Sequence, residues 1–166
     1  DLSYEKAETL LRLMGVEDAT EIRRLLGYKD GTAGGMMTTQ FVSVHATDTV
    51  GEVIEVLREL PEDHPTVHYV YVLDEYDEFE GVLSLRTLVL TDDAKPVGDV
   101  MYEDVISVPP DETEEDVAAD IFKYELPAMP VVDEHNMLLG IVLIVAGSLC
   151  AIIPGILEAK RVSLHK

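Results

Sequence analysis

Cysteine is almost missing from this chain: Cys150 is the single one in 166 residues. An internal disulfide and a thiolate metal cluster are therefore excluded, and an intracellular setting is expected. Basic residues are scarce as well. Twelve Lys and Arg stand against 33 Asp and Glu, a formal net charge of −21, which repels phosphate backbones and anionic headgroups and excludes nucleic acid as a partner. The five histidines, His45, His64, His68, His135 and His165, show no spacing suited to tetrahedral zinc. There is no Gly-x-x-x-x-Gly-Lys phosphate loop, no serine or cysteine nucleophile recognisably paired with a base, and no pocket context for an acid/base pair of carboxylates. The expectation is a protein that is not an enzyme. Asp1 is not an initiator and no charged segment leads into an apolar one, so the chain is expected to be an excised fragment.

What is present is enough apolar side chain, 47% of residues, to bury a core in one unit or in two small packed halves. The acid has two readings. A solvated acidic surface gives solubility, whereas clustered carboxylates bind hard divalent cations such as Mg²⁺ and Ca²⁺.

The chain repeats itself. The segment from Met37 to Val44 aligns with Met101 to Val108 at a shift of 64 residues. Each copy then starts a helix, with Thr49 three residues ahead of Glu52 and Thr113 three ahead of Asp116, the hydroxyl and carboxylate of a capping box or its shorter variant. Val50, Val53, Ile54, Leu57 and Leu60 recur at helical spacing after the first start, and Val117, Ile121 and Tyr124 after the second, so one face of each helix is expected to be buried. The copies meet again at Val72-Leu73-Asp74-Glu75 and Val131-Val132-Asp133-Glu134, and at Gly81-Val82-Leu83 and Gly140-Ile141-Val142, now at a shift of 59. The difference falls in the turn-rich stretch after the first helix, where an insertion costs little. Each copy thus reads as strand, helix, apolar strand, an Asp-Glu turn, a strand opening at Gly and a closing helix, an α/β unit. Gly81 is expected to ease the backbone into its strand through an unusual torsion. Halves of this size bury little alone, so the two are expected to pack together.

Two short amphipathic helices are expected ahead of the repeat, over 4–13 and 20–26, with Leu10, Leu11, Leu13, Leu25 and Leu26 in need of a partner surface. Residues 140–157 form an uncharged stretch of a length that touches the lower limit for a membrane span. A buried strand and closing helix explain it better, since Gly147, Pro154 and Gly155 suit a broken element.

The ordered repeat resembles the CBS (cystathionine-synthase-type) domain, which occurs as a tandem pair. The segment Tyr28-Lys29-Asp30-Gly31-Thr32-Ala33-Gly34-Gly35-Met36-Met37-Thr38 is similar to the junction between a helical N-domain and the first CBS unit in MgtE-type magnesium transporters. Gly81-Val82-Leu83-Ser84-Leu85-Arg86 and Leu126-Pro127-Ala128-Met129-Pro130-Val131-Val132-Asp133-Glu134 match the same family. The resemblance implies an α/β tandem CBS pair divided as 1–35, the end of a helical N-domain and linker; 36–98, a first CBS domain; 99–158, a second; and 159–166, a tail. It further implies a homodimer on the cytoplasmic side of the membrane, attached to the transmembrane domain of a parent transporter. Mg²⁺ would bridge acidic faces, and the ion-bridged form would close the pore.

By the same resemblance Glu115 and Glu125 fall on metal-contacting positions, and Asp30 lies in the junction motif. Plain structural roles compete: Glu115 complements a helix dipole, and Asp30 caps the turn into Gly31. Asp74 and Asp133 are read as turn formers. Adenine nucleotide is the alternative ligand, with Ser84 and Arg86 in the first cleft, Arg86 as its phosphate contact. Thr87 stands where the family has Asp, and Leu143 to Leu149 replaces a stretch that carries a Thr and several acids in the family. Those departures favour a third reading, a structural dimerisation unit whose ligand sites have decayed.

Overall fold

The computed structural model describes residues 24–62, 64 and 68–143. The expected helix over 4–13, the start of the one over 20–26 and the stretch from 144 onward lie outside the described residues.

The first unit holds α1 (Ala33–Met36), β1 (Ser43–His45), α2 (Val50–Arg58), β2 (Tyr69–Leu73), β3 (Phe79–Ser84) and α3 (Leu85–Leu90). A 3₁₀ turn at Val97–Asp99 leads to α4 (Glu114–Tyr124), β4 (Ala128–Val132) and β5 (Leu138–Leu143). β1 runs parallel to β2, which pairs antiparallel with β3; β4 and β5 form a second antiparallel pair.

Alternation along the strands sorts the core into layers. Val70, Val72 and Leu83 face Val50 and Val53 of α2 and Leu88 of α3. Tyr71 and Val82 point the other way and meet Ile141 of the second unit, with Phe79 beside them. Met129 and Val131 turn outward again onto Val117 and Ile121 of α4, together with Ala33 and Met37. The order is helices, sheet, aromatic seam, sheet, helix. Tyr124 departs from expectation, since it lies 44% exposed rather than on the buried face of α4.

The two units exchange their leading segments. Thr38, ahead of β1 in the first unit, pairs with Ile141 of β5 through two hydrogen bonds of 2.9 Å; Tyr102, ahead of α4 in the second, pairs with Val82 of β3 at 2.9 and 3.0 Å. The correspondence extends upstream of Met37. Ala33 and Gly34 donate to the Glu112 and Pro110 carbonyls, as Val97 and Gly98 do to those of Asp48 and Ala46.

This crossing explains Gly81 and Gly140, and not by torsion: neither has a positive φ, and β3 opens two residues before Gly81. A Cβ on Gly81 would lie 2.6 Å from the Tyr102 carbonyl oxygen, and one on Gly140 2.8 Å from the Met37 side chain and 2.9 Å from the Thr38 carbonyl oxygen. Each glycine marks where the partner unit's leading segment crosses the sheet.

The leading strand expected in the second copy shrinks to a single parallel bridge between Val108 and Val131. In the first copy the Tyr71 N–H donates to the Val42 carbonyl at 2.9 Å. Pro130 occupies the matching place in β4 and has no N–H to give, so the ladder stops there.

The Asp-Glu turns behave as read. The Asp74 carboxylate accepts the N–H groups of Tyr76 and Glu78 at 2.8 and 2.9 Å, and the Asp133 carboxylate those of His135 and Met137, both at 2.9 Å. The two turns also grip each other across the seam, because the Asn136 side chain donates to the Phe79 carbonyl at 2.7 Å while the Phe79 N–H donates to the Asn136 carbonyl at 2.8 Å.

Candidate functional site

α4 carries two of the three metal candidates, one at each end. Thr113 caps the helix, its hydroxyl accepting the Asp116 N–H at 3.3 Å, and this sets Glu114, Glu115 and Asp116 in the first turn. Glu115 is exposed there, in line with the positive end of the helix dipole. With Asp111 and Glu112 it belongs to a run of five acids in six residues; among the described residues Asp111, Glu112, Glu114 and Glu115 form no ion pair. That row was not singled out from the sequence, although the capping alignment already placed it at a helix start.

Glu125 closes α4 as its C-cap, exposed and left-handed at φ 51, ψ 40. Nothing structural favours an acid here. The position suits Gly or Asn, and a carboxylate faces the negative end of the dipole. Among the described residues no ion pair or side-chain hydrogen bond of Glu125 offsets this.

Ten residues of α-helix separate Glu115 from Glu125, a span of about 15 Å, while two carboxylates sharing one Mg²⁺ sit within about 4 Å of each other's oxygens. The two cannot ligate the same ion. Asp30 falls with Glu115: its neighbour Gly31 accepts the Glu114 N–H at 3.0 Å, and Thr32 bridges Thr113. Gly34 and Gly35 let the entering segment fold back closely on itself, since a Cβ on the first would strike the Tyr28 ring at 2.6 Å and one on the second the Lys29 carbonyl oxygen.

Among the described residues no three His, Cys, Asp or Glu side chains converge on a point able to hold a metal. Mg²⁺ keeps several waters and uses one or two carboxylates, a donor type that stands exposed at each end of α4 in Glu115 and Glu125.

Ser84, half-buried, caps α3. Its hydroxyl accepts the Thr87 N–H at 3.1 Å and lies 2.9 Å from the Thr87 hydroxyl, while Arg86 is exposed and forms no ion pair among the described residues. A shallow groove, open to solvent, runs along the seam past Phe41, Tyr69, Tyr71 and Leu143, and neither Ser84 nor Arg86 lines it. Leu143 stands 59 residues after Ser84, so this groove has a leucine where the first cleft has its hydroxyl. Sequence reading missed it because Phe41 and Tyr71 meet edge to face, 5.6 Å between ring centres, only once the units are packed. Burial also pushes the Tyr71 phenol well up from its ordinary value of 10.0. No described helix is long and apolar enough to cross a membrane.

The profile of the CBS domain matches residues 33–91 and 97–144. Over 126 residues the chain is 45% identical to the magnesium transporter MgtE of Enterococcus faecalis, covering 76% of this chain and 28% of that protein. To MgtE of Thermus thermophilus it is 38% identical over 135 residues, 81% of this chain and 30% of that one. The chain therefore spans less than a third of these relatives. The crystal structure of the soluble part of a magnesium transporter superposes with a TM-score of 0.78 at 38% identity, covering 97% of this chain and 59% of that one. The cytosolic domain of the Mg²⁺ channel MgtE in complex with ATP gives 0.76 at 34% identity, with coverages of 92% and 58%. With an exchanged pair of repeats, turns locked across a seam and this likeness over most of its length, the chain belongs to the CBS-domain family, as a tandem pair similar to that of MgtE magnesium transporters.

Proposed function

We propose that the chain is the Mg²⁺-sensing regulatory module of a magnesium transporter, on the cytoplasmic side of the membrane, regulatory rather than catalytic. The observation that carries this is Glu125, a left-handed acid at the wrong end of a helix in a chain similar to MgtE over most of its length. The acidic row at the other end of α4, where Asp111, Glu112, Glu114 and Glu115 form no ion pair among the described residues, supports it, with Asp30 drawn close by the junction motif. Carboxylates on separate rigid bodies repel, and a dication between them reverses the sign, so Mg²⁺ favours a closed arrangement and a closed pore. The module acts as a homodimer. Val89 and Leu90 stand 80% and 74% exposed on α3, a helix without a single acid in a strongly acidic chain, which supports self-association there. Calorimetric titration with Mg²⁺ tests the reading: weak, saturable binding that falls in both Glu115→Gln and Glu125→Gln is expected, and no binding heat in the unaltered chain refutes it.

A second reading adds adenine nucleotide in the first cleft at Ser84 and Arg86, supported by the relative solved with ATP. ATP titration into the chain and into Arg86→Ala decides it. Loss of affinity in the variant is expected, and equal binding removes Arg86 from the site.

A further inference from the structure

The first turn of α4 is capped from outside its own unit. The Glu114 N–H, one of the orphan donors of a helix start, donates to the Gly31 carbonyl at 3.0 Å, and the Thr32–Thr113 bridge and the Ala33 N–H on the Glu112 carbonyl, at 2.8 Å, hold the two segments together. Gly31 lies at φ 76 with nothing within 4 Å of where a Cβ would stand, so backbone torsion alone aims its carbonyl. Just upstream, Leu25 and Tyr28 pack on the core that holds Val117 and Ile121 of α4. The matching cap on α2 differs in origin: the Val50 N–H donates to the Lys95 carbonyl at 2.9 Å, in the link between the two units. Thus α4, unlike α2, takes this cap from the chain that enters the module.

We infer that the Gly31 carbonyl is a relay between the entering chain and the acidic end of α4. Displacing the chain ahead of Tyr28 withdraws the cap from Glu114, loosens the first turn and disturbs the neighbouring Glu115. By reciprocity, an ion held at Glu115 tightens the entering chain. That second half rests on the Mg²⁺ reading; the first half does not.

Amide hydrogen exchange on the whole chain, with Gly31→Val and Gly31→Asn, tests the relay. A β-branched residue is strongly disfavoured at positive φ, whereas Asn tolerates it. Gly31→Val is expected to speed exchange at Glu114 and Val117 about tenfold, to leave Val53 of α2 unchanged, and to be rescued in Gly31→Asn. In the unaltered chain Mg²⁺ is expected to slow exchange at Tyr28 and Gly31. Equal acceleration in α2 and α4, or none in α4, overturns the relay. An effect confined to α4 without any Mg²⁺ response upholds the cap and removes the ion-linked half.

Discussion

Glu52 and Asp116 differ by one methylene, and the difference is visible in their caps. Glu52 reaches back to the Thr49 N–H at 2.8 Å while its own N–H returns to the Thr49 hydroxyl, a complete box. Asp116 bonds the Thr113 hydroxyl at 2.8 Å instead. Asp116→Glu should complete the second box and raise stability by about 0.5 kcal/mol, read from the urea midpoint. The backbone N–H and then the hydroxyl of Thr49 hold the Glu52 carboxyl below its usual 4.5. A depressed carboxyl stabilises the fold above its unfolded value and loses that contribution as pH falls through the folded one. The chain should therefore lose stability below about pH 4.5 by a margin that Glu52→Gln reduces. Glu125 makes the opposite case: Glu125→Gly should stabilise by about 1 kcal/mol, by relieving left-handed strain, and should weaken the Mg²⁺ response. Both caps and both turn aspartates were legible in the sequence, because their partners lie within four residues. The conformation of Glu125 was not, since nothing local calls for a left-handed Glu.

Helices and strands were legible as far as periodicity reaches, and the exchange of leading segments was not. The alignment of Met37 with Met101 fixes which segments correspond, yet the same pattern fits a strand that pairs within its own unit or across to the other. Gly81 and Gly140 held the clue, and the structure replaces a torsional account with a steric one: the crossing backbone leaves no room for a Cβ. Gly81→Ala and Gly140→Ala should each cost about 1–3 kcal/mol by overpacking, measured by denaturant unfolding. Were the glycines needed for torsion alone, a negative φ would make both changes nearly neutral. Pro130 teaches the same lesson. A residue inside a well-patterned strand stops a ladder on its far side, and the shortened leading strand of the second copy follows from one missing N–H.

At the scale of the molecule, a charge of −21 and a surface with few cations make the assembly sensitive to any salt, so the effect of Mg²⁺ must be separated from screening. Glu115 and Glu125 lie too far apart along α4 to share an ion. The losses in Mg²⁺ stabilisation caused by Glu115→Gln and Glu125→Gln should therefore add in the double variant, within about 0.5 kcal/mol. A ligand that prefers the folded state raises the melting temperature, and screening by a monovalent salt of equal ionic strength gives the baseline. The most direct measurement is thermal unfolding of the chain in millimolar MgCl₂ against NaCl of matched ionic strength with chelator. A higher melting temperature in Mg²⁺ that Glu125→Gln lowers is the predicted result; identical melting in the two salts would contradict the proposed sensor.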